Sequence, residues 1–268
     1  MAQQNINLGT DSTGADGDTN RIAWEKAQAN FTELYQRTMK NLLINCGLPV
    51  NQRGFGGGAL AAGAYGYDRW KAGPGGCNIS IDAATGVFAH ASGALQQIVE
   101  SPQGAWGQPL TISVEDPSSA INVTVGGAAG TIPAGSGRRG VTLTPLGSGN
   151  MTVQLSAAGA TYSRPQLERG SAAGAFDWRP RALEMALCQW YCRAGSMSLR
   201  SNGTGSGGGG TYFGISMRDT PAVSFSSVNY IYGCSNIGAS VSATGVEIFV
   251  SATGVYAFLA NYLLEAEL

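Results

Sequence analysis

The chain has 268 residues, 40 of them glycine, with 43% hydrophobic and only 12% charged residues. That length suits one large β domain or two to three small ones, and low charge with ample apolar content excludes a disordered chain. A formal net charge of −1 supplies no basic field for nucleic acid or an anionic membrane, and no apolar run is long enough for a bilayer span.

In chain order, residues 1–19 are polar and rich in Gly and Asp, which predicts an extended arm. DGDTN then offers several helix-capping side chains before RIAWEKAQANFTELYQRTMK. Trp24, Ala27, Phe31 and Leu34 form a stripe close to heptad spacing. An isolated helix of this length is marginal, so the stripe is expected to pack on a partner or on sibling chains.

From NLLIN at 41–45 the chain reads as β structure. Apolar alternation recurs in YDRWKA, NISIDA, GVFAHAS, ALQQIVE, PLTISVED, AINVTV, VTLTP, MTVQLS and ATYSRPQLE, with turn residues between them. Many short strands at near-regular intervals predict an antiparallel β-sandwich of jelly-roll type. Pro180 suits a first helical position, and Leu183, Ala186, Leu187, Trp190 and Tyr191 follow on one face. SMSLRSNGTGSGGGG at 196–210 reads as a flexible connection or a long loop. Strands resume in YFGISM, AVSFSSVNYIYG, GVEIFVS and GVYAFLANYLLEAEL.

The expected fold class is therefore mostly β. Residues 1–40 form an arm and short helix, 41–179 the sandwich, 180–195 a connecting helix and 196–268 a small β tip domain. Roughly 70 residues are too few for a thick core of their own, which points to a tip whose core is shared in a trimer.

Signals for catalysis and cofactors are weak. GFGGGA and GSGRRG fit the spacing of a dinucleotide fingerprint, but neither leads into a helix, so both read as loop glycines. Asp16, Asp18 and Asn20 imitate the start of a calcium loop, yet Arg21 and Ala27 stand where glycine and a carboxylate are needed. The five cysteines are scattered and His90 is the one histidine. Neither a metal nor a cofactor is expected, and the cysteines read as reduced, buried thiols. MAQQNINLGT has no basic start followed by an apolar run, so assembly in a reducing cytoplasm is expected.

What remains is recognition by surface side chains, since sugars stack their C–H faces on aromatic rings and exchange hydrogen bonds with polar groups. Trp106 lies between turn glycines, Tyr212 follows the glycine run, and Arg218 and Asp219 open a tip loop. Asn229, Tyr230 and Tyr232 complete the glycan-binding candidates, each aromatic having a core or subunit interface as its alternative place. Trp70, Trp178 and Trp190 read as structural.

Four stretches, taken in order, resemble bacteriophage tail fibres and related receptor-binding proteins. They are NLG, a Gly/Asp loop, GDTNR and ANFTEL near the N-terminus; NLLIN, QRG and YDRW; QLERGS with an aromatic, RP and ALCQWY; and MRDTPAV. The second is similar to sandwich domains that look like carbohydrate-binding modules, although CGLPVN replaces the aromatics that many relatives carry.

The resemblance implies a non-catalytic homotrimer in the virion. Its N-terminal arm and helix would attach to a phage tail or baseplate protein, and its β domains would recognise host cell-surface polysaccharide or lipopolysaccharide. A purely structural virion component and a polysaccharide depolymerase are the alternatives. Paired carboxylates for the latter are assembled only in space.

Overall fold

A computed structural model of the chain describes residues 5–10, 15–36, 40–201 and 205–268. It is mostly β, with thirteen strands and two helices among the described residues. No helix among these residues is long and apolar enough to cross a membrane.

The N-terminal arm doubles back instead of extending. The Asn7 amide donates to Asp18 Oδ2 at 2.8 Å, the Asp18 amide returns a bond to Asn7 O at 2.8 Å, and the Thr10 amide donates to Asp16 Oδ1 at 2.9 Å. Asp16 and Asp18 thus close the loop, while Thr19 Oγ1 accepts the Ile22 amide and caps helix α1 (Asn20–Gln36). Trp24 is 72% exposed and Ala27 half-buried. The side chains of Phe31 and Leu34 lie outside the described residues.

Asn41, Leu43 and Asn45 are buried and Leu42 and Ile44 half-buried, but residues 41–45 form no strand. Their backbone groups bond to side chains instead of a ladder. Asn41 Oδ1 accepts the amides of Leu43 and Leu167, and Gln97 both accepts from and donates to the Ile44 backbone. YDRW is likewise a tight bend, and its strand begins only at Lys71.

Nine antiparallel strands follow. They are β1 (Gly58–Leu60), β2 (Lys71–Ile81), β3 (Val87–Val99), β4 (Leu110–Glu115), β5 (Ile121–Val125), β6 (Ala128–Ile132), β7 (Arg138–Leu143), β8 (Met151–Ser156) and β9 (Ala160–Arg169). GSGRRG leads into β7 and GFGGGA into β1, so neither precedes a helix. β3 joins two layers: its first residues pair β9, which carries β4 and β7, and its last residues pair β8, which carries β5 and β6. β2 runs along the other edge of β3. Where this hairpin turns its corner, a Cβ on Gly93 (φ +85°) would lie 2.4 Å from Gly76 O, so only glycine fits.

Alternate residues point between the layers and form a jelly-roll-like sandwich core. Trp70, Phe88 and Tyr162 lie at its centre, with Ile112, Val123 and Leu155 around them. The Trp70 indole donates to Asn45 O at 2.8 Å. His90 is also buried, with Nδ1 3.1 Å from the Tyr162 hydroxyl and Nε2 3.2 Å from Gly93 O. The five cysteines are unpaired.

Helix α2 (Arg181–Gln189) follows, with Pro180 one position earlier than expected, at the N-cap. Beyond it, the described parts of the Gly/Ser stretch expected to be a flexible connection, 196–201 and 205–210, are strand. β10 (Cys192–Ser201) and β11 (Gly205–Tyr212) run in line along one side of β13 (Gly245–Glu265), and β12 (Ala222–Ser242) pairs its other side.

This four-stranded sheet, three strand paths wide, folds over on itself. β12 skips register four times between Ser226 and Ile237, with positive φ at Ser227, Gly233 and Asn236. Such bulges bend a strand. As a result Leu199 of β10 reaches Gly209 of β11, ten residues further along the chain. The glycines make the fold possible, because a Cβ on Gly207 would lie 1.8 Å from the Tyr256 hydroxyl and one on Gly195 2.4 Å from that of Tyr262. Val246, Ile248, Val250, Phe258 and Leu264 fill the space between the halves.

A buried polar clamp holds the tip to the sandwich. Arg53 reaches Glu265 at 2.9 Å and Glu267 at 3.1 Å, and Arg69 pairs with Glu267 while its guanidinium lies 3.5 Å from the Tyr191 ring centre. Gln52 donates to Asp68 Oδ2 and to Cys192 O, both at 2.7 Å. The QRG and YDRW motifs thus form the socket that receives residues 265–268. Burial raises the Asp68 carboxyl above its ordinary range, against the lowering effect of Gln52 and Arg53.

Candidate functional site

Directly paired residues share one face of an antiparallel sheet. At the open end of the tip, pairing places Tyr212, Gly245 and Ser242 in one outward row and Gly210, Glu247 and Ser240 in the next. They border a groove of about 410 Å³. Tyr212 is 89% exposed, its ring beside the backbone of Gly245. Ser240, Ser242 and Glu247 are also exposed.

The row after Glu247 is Gly208, Phe249 and Gly238. Phe249 is exposed and leans over Gly238, a floor without side chains on either flank. Four strand residues separate the Tyr212 row from the Phe249 row, roughly 14 Å along the sheet. Two rings therefore bracket a carboxylate and a hydroxyl. Rings can stack on the C–H faces of sugars, Glu247 can accept hydrogen bonds from sugar hydroxyls, and the serines can donate or accept. Glu247 is the one carboxylate lining the groove among the described residues. Hydrolysis of a glycosidic bond by the common route needs two.

The other candidates lie elsewhere. Trp106 packs against Gly126 and Gly147 and donates its indole N–H to Gly149 O at 3.0 Å, so the sandwich loops occupy its ring. Arg218 belongs to the junction: its amide donates to Trp190 O, its Nε to Ala266 O at 2.9 Å, and its Nη1 lies 3.4 Å from Glu100. Asp219 is exposed next to it. Asn229, Tyr230 and Tyr232 sit on the bulged corner of β12, about ten residues before Ser240 and Ser242. There the Tyr230 hydroxyl accepts the Ile237 amide at 2.9 Å. The structure thus brings Tyr212 alone of these candidates into the groove.

Phe249 belongs with it, and its outward direction is readable from V-E-I-F-V-S, where Val246, Ile248 and Val250 turn inward. Trp178, read as structural from its place in the junction, is 61% exposed. No group of three or more potential metal ligands occurs among the described residues. His90 is held below its ordinary pKa by burial, and burial pushes the Cys77 thiol up to about 11.

No protein-family model matches the chain, and no curated relative matches it. Three solved structures show limited likeness. Wild-type discoidin II from Dictyostelium discoideum is 13% identical, covering 73% of this chain and 83% of its own, with a TM-score of 0.20. A cycloisomaltooligosaccharide glucanotransferase from Paenibacillus sp., complexed with cycloisomaltoheptaose, is 11% identical over 80% of this chain and 47% of its own, with a TM-score of 0.24. YhhW from Escherichia coli is 11% identical over 65% of this chain and 81% of its own, with a TM-score of 0.14.

Proposed function

We propose that the chain is a non-catalytic tail-fibre protein of a bacteriophage that recognises a host surface glycan through its tip. The observation that carries this reading is the groove in which the freely exposed Tyr212 ring lies beside Glu247 and two serine hydroxyls. The ordered resemblance of four stretches to tail fibres supports the virion setting. The exposed Ile22 and Trp24 of α1 supply an apolar surface for a tail or baseplate protein.

In this reading the protein is a homotrimer assembled in the host cytoplasm. Its ligand is polysaccharide or lipopolysaccharide, bound weakly at each tip and more firmly by three tips together. Binding of the purified protein to intact host cells and to their extracted polysaccharide tests it, with reducing sugar followed in the same samples. Saturable binding without sugar release is expected. Tyr212→Ala should lower binding about tenfold or more while shifting stability by less than about 0.5 kcal/mol, because an exposed ring contributes little to the fold. Sugar release, or full binding by Tyr212→Ala, overturns the proposal. A solution mass of one chain across a wide concentration range overturns the trimer.

A further inference from the structure

A second aromatic cleft lies where the sandwich meets α2, and it has a different charge. Phe176 and Trp178 form its wall, set edge to face with ring centres 5.0 Å apart. The Arg164 guanidinium covers part of Trp178 at 4.7 Å and is itself bound to Glu115 at 2.6 Å. Leu48, Arg181 and Glu184 complete a cavity of about 150 Å³, room for a single small ring.

The acidic side chains around the cleft are all engaged. Glu184 accepts the Asn45 amide at 3.0 Å and lies 3.3 Å from Arg179, which also lies 3.5 Å from Asp177 and donates to Leu43 O. Arg164 is matched by Glu115. Arg181 is exposed and makes no hydrogen bond or ion pair among the described residues. One guanidinium unpaired among the described residues therefore stands beside one open tryptophan ring. A guanidinium takes a carboxylate or phosphate through paired N–H donors, and an indole takes the apolar face of a sugar.

We propose that this cleft binds a single anionic pyranose, carboxylated or phosphorylated, as a site separate from the tip groove. The two sites differ in preference, because Glu247 disfavours anions where Arg181 attracts them. The inference extends glycan recognition to the sandwich but does not depend on Tyr212.

Ligand-observed NMR titration of the full chain tests it, with methyl glucuronide, glucose 6-phosphate, methyl glucoside and inorganic phosphate as probes. At least one anionic sugar should bind about tenfold more tightly than both methyl glucoside and phosphate, and the tighter of the two identifies the anionic group. Trp178→Ala should abolish that binding, Arg181→Gln should reduce it to the level of the neutral sugar, and Tyr212→Ala should leave it unchanged. Arg181 loses no partner among the described residues, so its variant tests the site with little effect on the fold. Equal binding of the neutral sugar, equal binding of phosphate alone, no saturable binding, or binding that survives Trp178→Ala overturns the proposal. Binding lost with Tyr212→Ala but kept by Trp178→Ala would place the anionic sugar in the tip groove, overturning this site while sustaining the other.

Discussion

In the sandwich, Trp70, Phe88 and Tyr162 fill the space between layers by meeting one another, at ring separations of 5.7 and 5.2 Å. In the tip, Tyr256, Tyr262 and Leu199 each lie over a glycine of a neighbouring strand. Many strands supply two opposed apolar faces, so large side chains interdigitate and glycine is needed mainly at corners such as Gly93. A sheet of three strand paths has one apolar face and must fold it against itself, and at that separation a large residue can be accommodated only opposite an empty position. Glycine inside a strand is usually a weakness. In the tip it is the complementary half of the packing.

The sharpest way to break this comparison is to separate the two regions. Glu267 is buried between Arg53 and Arg69, so Glu267→Gln leaves the buried Arg69 without its counter-ion and Arg53 with only Glu265 and Asp68. Removing one partner from a buried ion cluster costs about 3–5 kcal/mol. Calorimetry should show a single unfolding transition for the wild-type chain and two for the variant, the tip melting first. A variant that keeps one transition at nearly the original temperature would show that the clamp does not couple the regions.

Within the tip, Gly207→Ala should cost about 1–3 kcal/mol by overpacking against Tyr256. Gly210→Ala should be neutral to within about 0.5 kcal/mol, because its Cβ would meet only ordinary contacts at 3.6 Å and beyond. Chemical denaturation of the pair measures the difference. Equal effects would mean that glycine acts there through chain flexibility alone and not through the space it leaves.

Several strands were legible because their alternation survives on both sides: β4, β5, β8 and β9 match PLTISVED, AINVTV, MTVQLS and ATYSRPQLE. The inward set of β13 follows the same rule, which makes Phe249 outward before any coordinates are consulted. The glycine run 205–210 was misleading, since Gly and Ser signal a linker unless the facing strand is known, and Tyr256 lies some fifty residues away. Arg53 and Arg69 stand out in the sequence only as members of QRG and YDRW. Their meaning depends on Glu265 and Glu267, about two hundred residues later. Trp178 illustrates the opposite error: its setting among Phe176, Arg179 and Pro180 suggested packing, but the surrounding loops leave most of its ring open.

The smallest expected effect is a pH dependence that belongs to one region. His90, the chain's one histidine, is buried in the sandwich, and desolvation lowers its pKa despite hydrogen bonds it donates to the backbone of Gly93 and Ser92, which oppose the shift. As pH falls through the ordinary histidine value of 6.5, the unfolded chain takes up a proton that the native state resists. Stability contributed by the neutral imidazole is therefore complete above that value and declines below it, until the native pKa is reached. The slope is at most about 1.4 kcal/mol per pH unit. Asp68 works in the opposite direction, since its raised pKa favours the native state on acidification, so the histidine's share over pH 7 to 5.5 is read from its own variant. In the Glu267→Gln background the sandwich transition should shift downward over that range while the tip transition stays in place, and His90→Gln should remove the shift. Equal movement of both transitions would assign the proton uptake to the junction instead of the sandwich core.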